Sequence, residues 1–205
     1  MSLPNQLTVL RIILSPVFVF LLFSESALLR WISFAVFIVA SLTDWYDGYI
    51  ARKFGIVTKW GKFLDPLADK ILISAGFISF CTMGYIAEWM VVTVIVRDII
   101  ITILRSYGIY KGKPIATSTF AKVKTFSQVI LLYLIYGYFI YTDLLKMHGY
   151  QWIFNSDSAL HFFNIAMLFV TIVTVATGFL YMFYNRSCIK EMKRDICRFF
   201  VPSNT

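Results

Sequence analysis

The stretch Asp44-Trp45-Tyr46-Asp47-Gly48-Tyr49-Ile50-Ala51-Arg52, followed after eight residues by Gly61-Lys62-Phe63-Leu64-Asp65-Pro66-Leu67-Ala68-Asp69, sets four carboxylates where two long apolar runs meet. An ionisable side chain at membrane depth is costly, so four acids this close together imply a strong opposing charge. A pair of divalent metal ions is the simplest source of it. Residues three and four apart share a helical face, which puts Asp44, Asp47, Gly48 and Ala51 on one stripe and Gly61, Asp65 and Asp69 on another. Pro66 is expected in the first turns of its helix, where a missing backbone donor is tolerated. Two such stripes on adjacent antiparallel helices can converge on one pocket. Hard carboxylate oxygens suit Mg²⁺ or Mn²⁺, and two such ions can clamp the attacking and leaving oxygens of a phosphoryl displacement. Gly48, Ala51 and Gly61 clear space for a base or phosphate, and Arg52 can pair with phosphate oxygens. Together these features read as a nucleotide-diphosphate site.

The rest of the chain supplies a membrane setting. Of 205 residues, 59% are hydrophobic and 15% charged, and the mean hydropathy is +0.74, outside the soluble globular range. Apolar runs of about 20 residues, enough to cross a bilayer, lie at 7–23, 31–50, 63–82, 89–107, 120–141 and 160–184. The expected fold is an all-α integral membrane protein, with six transmembrane helices in one bundle and the active site at the cytoplasmic side. Residues 1–184 form the membrane domain and 185–205 a basic cytoplasmic tail. Arg52, Lys53, Lys59 and Lys62 follow the second run, Lys111, Lys113, Lys122 and Lys124 flank the fourth and fifth, and Arg186, Lys190, Lys193, Arg194 and Arg198 follow the sixth. By the positive-inside rule these surfaces, and both termini, are cytoplasmic. The opposite loops hold only Arg30 and Lys146, beside Glu25, Glu88, Asp143 and Asp157.

Met1–Gln6 carries no charged side chain, so a cleavable signal peptide is not expected. Cys81, Cys188 and Cys197 lack metal-ligand spacing and read as free thiols. His148 and His161 read as interfacial, remote from the aspartates. The tail, basic with interspersed Ile, Cys, Met and Phe, suits an anionic lipid surface and not a nucleic acid.

The quoted stretch matches, at all eight fixed positions, the signature D-x2-D-G-x2-A-R-x8-G-x3-D-x3-D, and so resembles the CDP-alcohol phosphatidyltransferases. Further likeness, in Pro4-Asn5, Thr8, Arg11, Arg97-Asp98, Arg105, Lys122, Lys124, Thr125 and Gln128, points to the branch whose acceptor is sn-glycerol 3-phosphate. Asp98 and Ala121 stand where that branch is expected to carry Glu and often Gly. The resemblance implies that Asp44, Asp47, Asp65 and Asp69 bind two divalent ions, Mg²⁺ or Mn²⁺, and that Asp69 also takes the proton from the acceptor hydroxyl. It implies CDP-diacylglycerol as donor, CMP as leaving group, a bacterial inner-membrane location and a homodimer.

Several supporting residues admit two readings. Arg97 and Arg105 can snorkel to the interface; with Lys122 and Lys124 they can instead cradle an acceptor phosphate. Asn5, Thr8 and Arg11 suit a helix start with a snorkelling arginine or, for Asn5 and Thr8, contacts to the CDP-lipid, where Gly48, Ala51, Arg52 and Gly61 are also placed. Phosphatidylglycerol and inositol phosphate are the alternative acceptors. A divalent-cation transporter is the alternative class, disfavoured because no acidic path continues through the spans.

Overall fold

The computed structural model describes residues 3–54, 59–111, 119–147, 156–186, 189–192 and 194–195; within these, the side chains of 3–5, 44–54, 59–66, 69, 109–110, 119–122, 146–147 and 156 lie outside the description. Among the described residues all regular structure is helical: α1 (Leu3–Leu22), α2 (Ala27–Phe54), α3 (Lys59–Thr82), α4 (Glu88–Tyr110), α5 (Thr119–Met147) and α6 (Ser156–Tyr184). Each apolar run lies on its own helix, but the helices extend beyond the runs. Pro66 is consequently the eighth residue of α3, in its third turn and beyond the first turn where a missing donor costs nothing, because the helix starts at Lys59, among polar residues that a hydropathy reading leaves out.

α1 packs against both α2 and α3, α3 against α4 and α5, and α6 against α4 and α5. In α5 the periodicity is plain. Val123, Phe126, Ile130 and Leu134 are exposed, while Lys124, Gln128, Leu131, Leu132, Ile135 and Tyr136 are buried. Large apolar side chains also cover the outward faces of α1, α4 and α6, among them Phe20, Ile103, Ile165 and Phe179, a surface suited to lipid. Among the described residues, two helices contain stretches long and apolar enough to cross a membrane, Val123–Leu145 and Asp157–Tyr184.

The core is aromatic. The fully buried Tyr136 ring lies 4.9 Å from Phe34, 5.1 Å from Phe80 and 5.6 Å from Phe37, joining α5 to α2 and α3. Its hydroxyl bonds the buried Ser33 Oγ, which itself donates to the Phe18 carbonyl of α1 at 3.0 Å. Tyr136 is therefore the donor to Ser33. Ser33→Ala leaves that phenol buried without an acceptor, costing about 1–3 kcal/mol, whereas Tyr136→Phe removes one hydrogen bond worth about 0.5–1.5 kcal/mol. Thermal unfolding in detergent is expected to show the larger drop for Ser33→Ala; the reverse order would refute Ser33 as the link between the Tyr136 hydroxyl and the Phe18 carbonyl.

Tight connections hold the end of the bundle remote from the aspartates. After α3, Tyr85 N donates to Phe80 O at 3.0 Å and Gly84 N to Cys81 O at 2.9 Å, with Gly84 at φ 82°. This pair of bonds is the Schellman stop, and its left-handed residue favours glycine. The Ala87 amide, at the start of α4, donates to Asn164 Oδ1 of α6 at 2.9 Å. Between α1 and α2, Arg30 donates to the Ser24 and Glu25 carbonyls at 3.0 Å each and forks onto Asp143 of α5 at 2.6 and 3.0 Å. One guanidinium thus satisfies two carbonyls of the α1–α2 connection and anchors a third helix.

Candidate active site

Asp44, Asp47, Gly48, Ala51 and Arg52 occupy the last three turns of α2, and Gly61, Asp65 and Asp69 the first three of α3. α2 ends at Phe54 and α3 begins at Lys59, so the two stripes stand on consecutive helix ends with four residues of chain between them. The side chains of all these residues, and of Asn5 and Lys122, lie outside the described residues, so the backbone is what fixes their placement.

The neighbouring side chains are described. Thr8 and Arg11, one turn apart on α1, are both fully buried, so Arg11 does not snorkel to solvent. Ser15 Oγ donates to the Arg11 carbonyl at 2.9 Å, one residue before Pro16, whose ring nitrogen has no hydrogen to donate. Arg97 is likewise engaged within the bundle. It donates to Asp98 Oδ1 at 3.1 Å and to Thr177 Oγ1 of α6 at 3.0 Å. A Cβ on Gly178 would stand 2.9 Å from Arg97 Nε, so glycine there makes room for the guanidinium stem.

Asp98 is the hub. Its carboxylate, 4% exposed, receives the buried Lys124 ammonium of α5, Arg97, Lys70 of α3 at 3.4 Å and the Gln128 amide at 3.4 Å. The expected cradle residues Arg97 and Lys124 therefore meet on one acid. Arg105, two turns further along α4, is half-buried, and no ion pair or hydrogen bond of its guanidinium is present among the described residues. From the sequence Lys70 belongs to no motif, and Asp98 stands within the branch likeness without a role of its own. The available signal was the cost of an ionisable group within an apolar run, which demands a partner.

At the same end, Asp195 accepts from Tyr107 Oη at 2.7 Å and pairs with Lys111 at 2.6 Å. The described part of the basic tail is thus pinned to the end of α4 through an acid. His161 is exposed, and Cys81 is a free thiol; His148, Cys188 and Cys197 lie outside the described residues.

A helical membrane-type bundle with two carboxylate-bearing helix ends consecutive in the chain, and with a buried cationic hub, defines a class. Residues 1–176 match the family model for CDP-alcohol phosphatidyltransferase, and the chain belongs to that family. Among its relatives, a Bacillus subtilis CDP-diacylglycerol--glycerol-3-phosphate 3-phosphatidyltransferase is 40% identical over 141 residues, covering 63% of this chain and 73% of the relative. Proteins of the same name from Rickettsia bellii and Salmonella paratyphi A are 37% identical over 131 residues and 38% over 136; each alignment covers 64% of this chain, with 72% and 74% of the relatives.

Proposed function

We propose that this protein transfers the phosphatidyl group of CDP-diacylglycerol to sn-glycerol 3-phosphate, giving phosphatidylglycerophosphate and CMP. The observation that carries the reading is the complete eight-position signature at the end of α2 and the start of α3, in a chain whose relatives bear that activity in their names. The same likeness favours a transferase over a cation transporter.

In this reading the acceptor hydroxyl oxygen bonds to the lipid-bearing phosphorus, the bond from that phosphorus to the CMP oxygen breaks, and Asp69 receives the hydroxyl proton. Asp44, Asp47, Asp65 and Asp69 suit two divalent ions, since hard carboxylates recur one helical turn apart at the end of α2 and again at the start of α3. When bound, such ions supply positive charge against the diphosphate. Gly48, Ala51 and Gly61 leave room for the nucleotide, Arg52, Asn5 and Thr8 contact the CDP-lipid, and Arg97, Arg105, Lys122 and Lys124 hold the acceptor phosphate. The bundle to Tyr184 is one six-span domain, followed by the tail 185–205. The Lys/Arg distribution puts the site and both termini on the cytoplasmic side of a bacterial inner membrane. The working form is a homodimer.

The test is CMP release by purified protein from CDP-diacylglycerol and Mg²⁺ against a panel of alcohols. Glycerol 3-phosphate is expected to be used well and unphosphorylated glycerol poorly. Faster reaction with phosphatidylglycerol or inositol phosphate would overturn the acceptor and leave the phosphatidyl transfer standing.

A further inference from the structure

Asp98 is outnumbered. Among the described side chains, Lys70, Arg97 and Lys124 surround the one carboxylate of Asp98, three formal positive charges to one negative, an excess of two. The side chains are 22%, 15% and 1% exposed for the three cations and 4% for Asp98. Like charges desolvated together repel strongly, and their burial is tolerated only with matching counter-charge. Asp98 supplies part of it. The remainder equals the charge of a phosphate monoester dianion, the group that sets glycerol 3-phosphate apart from glycerol. Arg97 Nε and Gln128 Oε1 are also buried without a hydrogen-bond partner among the described residues, leaving a donor and an acceptor beside the excess charge.

The three cations come from three helices, α3, α4 and α5, and Asp98 is the atom group they share. Without it, repulsion would drive the ammonium and guanidinium groups apart. Lys70 adds a second link. It directly follows Asp69, about 1.5 Å further along the α3 axis, so its contact with Asp98 also fixes the axial position of the α3 backbone at Asp69 against the acceptor wall.

We propose that Asp98 is a positioning residue for the acceptor: it gathers Lys70, Arg97 and Lys124 into one rigid cationic wall, held in register with Asp69, whose unbalanced charge receives a phosphate dianion. The proposal rests on the acceptor chemistry given above and adds Lys70 and Asp98 to the residues that serve it.

The experiment measures KM for each substrate in wild type, Asp98→Asn, Asp98→Glu and Lys70→Met, each checked for a single monodisperse detergent-solubilised species. Asp98→Asn is expected to raise the KM for glycerol 3-phosphate about tenfold or more, the scale of one lost charge-assisted contact, with the KM for CDP-diacylglycerol near the wild-type value. Asp98→Glu, which keeps the carboxylate, restores most of the acceptor affinity. Lys70→Met raises the acceptor KM alone, and carries the test if Asp98→Asn fails to fold; adding it to Asp98→Asn brings less than the product of the two single losses. An acceptor KM unchanged in the foldable variants, or equal losses for both substrates, overturns the role of Asp98. Wild-type protein that releases no CMP with glycerol 3-phosphate would instead sink the acceptor reading itself.

Discussion

Asp69→Asn is expected to lower CMP release by about 10²–10⁴-fold, the usual contribution of a positioned general base, while CDP-lipid binding falls far less. Asn keeps the shape and one carbonyl oxygen but cannot accept the acceptor's proton. The backbone of this residue sits well inside α3, anchored one position later by Lys70 on Asp98, so the substitution is not expected to unfold the helix. Single-turnover CMP release set against equilibrium binding of the CDP-lipid separates the two effects. Turnover within a few-fold of wild type would remove Asp69 from the role of base.

Arg105→Gln carries the second large effect. Arg105 is half-buried on α4, and no pairing of its guanidinium is present among the described residues, in contrast with Arg97 two turns away. A charge-assisted contact to a phosphate is worth about 1.5–3 kcal/mol, or roughly ten- to a hundredfold in affinity. The acceptor KM should rise by that factor with little change for CDP-diacylglycerol, and the preference for glycerol 3-phosphate over glycerol should shrink. Equal weakening of both substrates would assign Arg105 to the nucleotide or to the bundle.

The helices were legible because apolar length is a local property; their ends were not. A hydropathy reading stops α5 at Tyr141, yet the helix runs to Met147, since Asp143 is neutralised by Arg30 from a distant part of the chain. The same ion pair explains why α2 starts at Ala27 and not at Trp31: Arg30 lies in its first turn and bonds the carbonyls of the preceding connection. Of the candidate site, the aspartate spacing and the small residues were readable, because helical periodicity turns spacing into a face. The burial of Arg11 was not, as an arginine near a helix start has the same sequence whether it reaches water or packs inside. Nor was the hub on Asp98, whose members at 70, 97, 124 and 128 come together only when three helices assemble.

The Arg30 to Asp143 clasp bears on how the protein is made. Its partners are 113 residues apart, so in the six-span topology proposed above Arg30 enters with the first helical hairpin as a cation on the far side, before Asp143, the acid it will pair with, has been synthesised. In that topology the orientation of the hairpin is decided earlier, by Arg52, Lys53, Lys59 and Lys62 on the near side. The clasp therefore has no part in setting topology; it closes only after α5 has inserted, locking an arrangement that translation has already committed to. Loss of Asp143 would be felt in the lifetime of the finished bundle and not in the yield of correctly oriented chains.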